Sequence, residues 1–209
     1  GIHSQVPAFL INQHSISDIK EAQDYISRVK GAEKLMSQLV EQLKLREQKG
    51  IIAPKFVFEH VIRDSQNILK GAPFEQGEES TLLADFTKKV NKLTISQKEK
   101  TTLINDVNQA LVNNLKPGYQ SLISYLNQLE KKADNRDGVW KLPDGEAFYN
   151  NALQRTTTTD LTADEIHTLG LQEVARIHNE MREIMKKVAF KGDLKAFLTF
   201  MRTDKQFYY

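Results

Sequence analysis

Residues 139–177 read VWKLPDGEAFYNNALQRTTTTDLTADEIHTLGLQEVARI. They spell a turn, a short helix, four consecutive threonines and then a well-capped long helix. Pro143, Asp144 and Gly145 make a turn, because proline presets φ, aspartate bonds its own backbone and glycine accepts positive φ. The residues from Glu146 to Arg155 suit a short helix, with Ala147, Phe148 and Leu153 apolar and Tyr149 carrying a polar tip. Thr156, Thr157, Thr158 and Thr159 are β-branched, and their hydroxyls compete for backbone groups, so the helix is expected to end there in extended backbone. Thr162 with Glu165 three residues on forms a capping box, and Asp164 and Glu165 suit the positive end of the helix dipole.

Working outward, the preceding chain is helical scaffold. Residues 1–16 mix apolar Ile2, Val6, Phe9, Leu10 and Ile11 with Pro7, and read as an irregular arm. Ser17 or Asp18 caps a helix with Ile19, Ala22, Ile26 and Val29 on one face. Gly31 marks a bend, and Leu35 to Leu43 carry a second stripe to Gly50. Pro54 opens a helix that buries Phe58, Val61, Ile62, Ile68 and Leu69. A helix over 81–93 follows, and Ser96 with Glu99 caps another whose leucines and valine recur every four residues. Pro117 and Gly118 are expected to break or kink it. From Tyr119 to Ala133 the apolar spacing is that of a helix packed nearly parallel on a neighbour.

After the threonines, Ile166, Leu169, Val174, Ile177, Met181, Ile184 and Val188 stripe the long helix, and a short one follows Asp193. Strand-like alternation is nearly absent. The fold class is therefore all-α, a multi-helical array of antiparallel helix pairs forming part of a larger helical protein. The chain divides into the arm at 1–16, a helical scaffold at 17–138 and the turn, threonine run and long capped helix at 139–209, within a single helical region.

Composition narrows the function classes. Lysine plus arginine, 29, against aspartate plus glutamate, 27, is too even to mark a nucleic-acid or membrane-surface partner. There are no cysteines, hence no disulfide or thiolate metal site. No apolar run approaches the roughly 18 residues of a membrane span. Gly1 stands first, which points to a removed leader or a piece of a longer protein.

The histidine contexts are HSQV, HSIS, HVIR, HTLG and HNEM, so none forms H-E-x-x-H. His167 and His178 fall on nearly the same helix face but about 16 Å apart, too far to share a zinc ion. No Gly-rich phosphate loop, nucleophile elbow or nucleophilic cysteine occurs. The threonine run reads as a helix terminator leading into the Thr162 cap. Alternatively, extended backbone from Thr156 to Thr159 lines a cleft for a peptide-like ligand. Arg155 beside it suits either a surface ion pair or a bidentate carboxylate contact. Trp140 and Tyr149 are candidate cleft walls, although a tryptophan near a turn also serves as a packing anchor.

GIHSQVPAFL, DYISRV, GIIAPKFVFEHVI, LPDGEAFYNNALQRTTTTDLTADEIHTLGLQEVARIHNEM and FKGDLKAFLTFMRTDKQFYY together resemble the bacterial domain-of-unknown-function family 885 over nearly the whole chain. The resemblance implies a large helical protein related to zinc metallopeptidases, exported or lipid-anchored (periplasmic) in bacteria. An H-E-x-x-P-G-H-H type motif is expected beyond this chain. There, histidines would hold zinc and the glutamate would activate a water. No metal ligand carries over onto a residue present here, so the chain is expected to be a non-catalytic amino-proximal fragment walling a substrate channel. Its expected partners are the C-terminal remainder of its own polypeptide and a peptide substrate. Half of a packed body should leave apolar faces bare near Phe200, Phe207, Tyr208 and Tyr209, favouring a homodimer. The alternative is a helical protein-interaction module without enzymatic activity.

Overall fold

The computed structural model describes residues 1–208, and Tyr209 lies outside them. The class is all-α. Among the described residues the only extended pairing is an isolated bridge between Ala72 and Glu79. The chain divides into two compact units, Gly1–Pro143 and Asp144–Tyr209.

The first unit holds α1 (Ile2–Asn12), α2 (Ile19–Gln48), α3 (Lys55–Ile68), α4 (Thr81–Asn91), α5 (Gln97–Ala110) and α6 (Lys116–Glu130). The long α2 packs on α5 and α6, α3 packs on α6, and α1 packs on α3 and α4. Together they enclose one apolar core that includes Tyr25, Val29, Met36, Phe86, Val107, Leu111, Leu115 and Tyr119. The turn at 92–96 folds α5 back on α4, and Lys100 donates to the Asn91 carbonyl across it. By contrast α2 and α6 run in the same direction. Asn114 reaches Glu33, whereas Tyr125 and Lys132 reach Glu47 further along.

Three local expectations are corrected. Residues 1–16 are not an irregular arm: α1 is a helix that contains Pro7. The carbonyl of His3, which Pro7 cannot serve because it has no N–H, accepts the Tyr119 hydroxyl instead. Gly31 marks no bend, since α2 runs unbroken through it. Pro117 and Gly118 do not break their helix either. A wider turn, Leu111–Leu115, joins α5 to α6 with the Lys116 N–H bonded to the Leu111 carbonyl, so the backbone bypasses the donor that proline lacks. Gly118 serves close packing: a Cβ on it would stand 3.0 Å from the Glu33 Cα.

Buried polar groups knit α1, α2 and α4. His14 is buried between its neighbours, with Nε2 donating to the Glu21 carbonyl and Nδ1 accepting from Arg28. Its ring meets Tyr25 edge-on. Lys89 donates to the Leu10 and Ile11 carbonyls, capping the end of α1, and pairs with Asp85 at 2.7 Å.

The second unit contains α7 (Gly145–Thr157), α8 (Ala163–Lys187) and α9 (Leu194–Thr203). The Thr162–Glu165 capping box forms as the sequence indicates. An aromatic series, Phe190 to Phe197 and Phe200 and on to Phe207, joins α9 to the end of α8 with centroids 5.1 to 5.4 Å apart. Phe207 and Tyr208 are exposed and Phe200 is half-buried.

Candidate functional site

The first unit holds an open cleft of about 660 Å³. Its floor is aliphatic. Leu39 and Leu43 come from α2, Val57 and Val61 from α3, and Leu122 and Leu126 from α6. These helices spend their interior backbone groups on their own ladders, so the floor presents side-chain carbon only. The residues Ile51 to Pro54, linking α2 to α3, close one edge, and a strap at 137–142 closes another.

Asp134 anchors that strap. Its backbone carbonyl accepts the Lys55 N–H at 2.8 Å, and its carboxylate accepts Lys141 Nζ and Arg136 Nε, each at 2.7 Å. The Lys141 ammonium, and after it the Arg136 guanidinium, hold the Asp134 carboxyl well below the usual carboxylate range. Across the unit, Glu47 accepts both Lys132 and Tyr125, which lowers its own pKa. Burial, with the Glu47 contact, pushes the Tyr125 hydroxyl up to about 12.

Among the residues expected at a site, Trp140 falls in the first unit and Tyr149, Arg155 and Thr156 to Thr159 fall in the second. Trp140 lies in the strap, 67% exposed, with its indole against Gly138. Tyr149 and Arg155 are exposed on α7, and Arg155 has no ion-pair partner among the described residues.

The threonines behave differently from the extended run expected. Thr156 and Thr157 still belong to α7, and Thr158 ends it in the left-handed region at φ 56°. The Thr157 hydroxyl donates to the Leu153 carbonyl and meets the Thr159 hydroxyl at 2.9 Å; Thr158 donates to the Thr157 carbonyl. Side-chain bonds of this local kind are what terminate the helix. A left-handed β-branched residue is strained, and such strain persists only where its surroundings impose it.

Sequence reasoning missed the cleft, because its leucines and valines carry the same helical periodicity as core residues. The signal that could have found it is the apolar Ile51–Ile52–Ala53–Pro54 linker, where a polar loop would be ordinary.

Among the described residues no group of three histidine, aspartate or glutamate side chains could hold a metal ion. No helix among the described residues is long and apolar enough to cross a membrane.

No curated protein matches the chain. Among solved structures, that of a candidate lipoprotein from Colwellia psychrerythraea is similar, with a TM-score of 0.82 and 26% identity. The match covers 100% of this chain and 35% of that one, so the chain spans about a third of that protein's length. The family model described as "Bacterial protein of unknown function (DUF885)" matches residues 1–209, and the chain belongs to that family.

Proposed function

We propose that these residues form a non-catalytic helical wall of the substrate channel in a longer, exported or lipid-anchored bacterial protein of the zinc-metallopeptidase kind. The observation that carries the reading is the bare stripe on α8. Val174, Ile177, Met181, Ile184 and Val188 recur at spacings of three and four, and all but half-buried Met181 are exposed, Val188 to 60%. A stripe of that width on a 25-residue helix is built to be covered by another element. The span of about a third of the Colwellia protein supports covering by further polypeptide of the same protein.

In this reading the zinc ligands belong to polypeptide outside these residues. Within the second unit, Tyr149, Arg155 and Thr156 to Thr159 face the peptide substrate. The Arg155 guanidinium, without an ion-pair partner among the described residues, suits a peptide carboxylate.

The test compares the 209-residue protein with the full-length polypeptide. Amides of α8 should gain hydrogen-exchange protection in the longer protein, which should hold about one zinc per chain and lose peptide turnover or binding on Arg155→Ala or Thr157→Ala. Equal protection of α8 in both, or turnover and binding untouched by both substitutions, contradicts the reading. A longer protein without zinc or turnover favours an interaction module instead.

A further inference from the structure

We propose that the cleft of the first unit is a binding site for a single-chain alkyl carboxylate, with the chain on the aliphatic floor and the carboxylate on Arg46. This inference is independent of the peptidase reading, because it concerns only the first unit and needs no metal.

The chemistry of the floor selects the class. Leu43, Val57, Leu122 and Leu126 come from three helices whose interior N–H and C=O groups are already bonded within the helices. An extended peptide laid there would bury its own amides without partners, which costs free energy for each one. An alkyl chain carries no polar group along its length and loses nothing. The volume, about 660 Å³, lies inside the range of small-molecule sites, roughly 300–1,000 Å³.

The rim selects the head group. Arg46, Lys141 and Asp137 supply the charged side chains of the lining. Lys141 is occupied by Asp134, whereas Arg46 has no ion-pair partner among the described residues. The planar guanidinium fork matches a carboxylate with two parallel hydrogen bonds. His3 adds no cation, since burial lowers its pKa.

The experiment titrates the 209-residue protein with decanoate, decan-1-ol and decyltrimethylammonium at low salt. Binding is followed by calorimetry and by fluorescence of the single tryptophan, Trp140, which sits in the strap beside lining Val139 and Lys141. Decanoate should bind saturably below its micellar range, five- to tenfold tighter than decanol, as one charge-assisted contact provides. Arg46→Gln, an exposed change that spares the fold, should erase that gap and leave decanol binding unchanged. Val57→Phe should weaken both by filling the floor, with circular dichroism confirming an intact fold. Absence of saturable decanoate binding, equal affinity for decyltrimethylammonium, or indifference of decanoate to Arg46→Gln would each overturn the proposal. Capture of an apolar peptide at this cleft in preference to decanoate overturns it as well.

Discussion

The Tyr119 hydroxyl donates to the carbonyl oxygen of His3, the acceptor that Pro7 leaves unserved inside α1. A tertiary hydrogen bond from α6 thus replaces a missing helical one and ties the chain's first helix to the core. Tyr119→Phe should leave that carbonyl without its donor and cost about 1–3 kcal/mol. In a Pro7→Ala background residue 7 regains an N–H, so the same substitution should cost less. Urea denaturation of the four proteins checks this, and equal costs in both backgrounds would refute the replacement.

Two helical glycines should respond oppositely to alanine. At Gly31 a Cβ would meet nothing within 4 Å, so Gly31→Ala should stabilise α2 by up to about 1 kcal/mol. At Gly118 the Cβ would press on the Glu33 Cα and the Ala32 carbonyl, both backbone. Overpacking of about 1–3 kcal/mol should there exceed the helix-propensity gain. Thermal melting should rise for the first variant and fall for the second, by about 2–4 °C per kcal/mol in a chain of this size.

These glycines also mark how far the sequence could be read. The stripes of α2, α4 and α8 and the caps at Ser96 and Thr162 are local, and each forms as its spacing indicates. Pro7, Gly31 and Pro117 are strong local signals for interruption, yet helices continue through all three, because tertiary partners or a widened turn satisfy the backbone. The 119–133 spacing indicates a closely aligned neighbour, but that the neighbour is α2 and runs in the same direction depends on contacts distant in sequence and leaves no local trace. The cleft was hidden for a similar reason. On α2, Leu39 and Leu43 in the cleft floor follow the same periodicity as Met36 and Val40 in the core, and only the tertiary arrangement separates them.

Lys89 and Asp85 are each less than one-fifth exposed, so removing one strands the other. Lys89→Met also leaves the Leu10 and Ile11 carbonyls without their donor. It should cost about 2–4 kcal/mol, near the range for breaking a buried pair. The double variant with Asp85→Asn should cost less than the sum of the single changes by about 1–3 kcal/mol, measured by denaturant midpoints. Strict additivity would show that the pair is not coupled.

Stability should be bounded by pH on both sides. Asp134 and Glu47 have folded pKa values below their unfolded ones, so their contribution is present above about pH 4.5 and is lost as pH falls through the folded values. For Tyr25, Tyr119 and Tyr125 burial raises the folded pKa, so their contribution is whole below about pH 10 and is lost as pH rises through the folded values. Melting temperature should therefore plateau between about pH 5 and 9. The tyrosinate absorbance step at 295 nm between pH 9 and 11 should be unchanged in Tyr25→Phe and Tyr119→Phe. A smaller step in either variant would place that hydroxyl in water.

On α8, exposed Val174 and Ile177 sit three residues apart on a face that no other element of the second unit covers among the described residues. Each of these half-covered side chains forgoes roughly half of the about 1.5–3 kcal/mol that full burial provides, which is the drive for association. Replacing both by glutamate removes that drive while disturbing no buried contact, and exposed substitutions of this kind stay within about 0.5 kcal/mol of neutral for folding. The 209-residue protein should self-associate in sedimentation and bind anilinonaphthalene sulfonate, and the double variant should do both less, at an unchanged melting temperature. The same variant made in the full-length polypeptide should lower its melting temperature, because there the face would be buried. A neutral effect in both settings would mean that the stripe is a solvated surface with no partner.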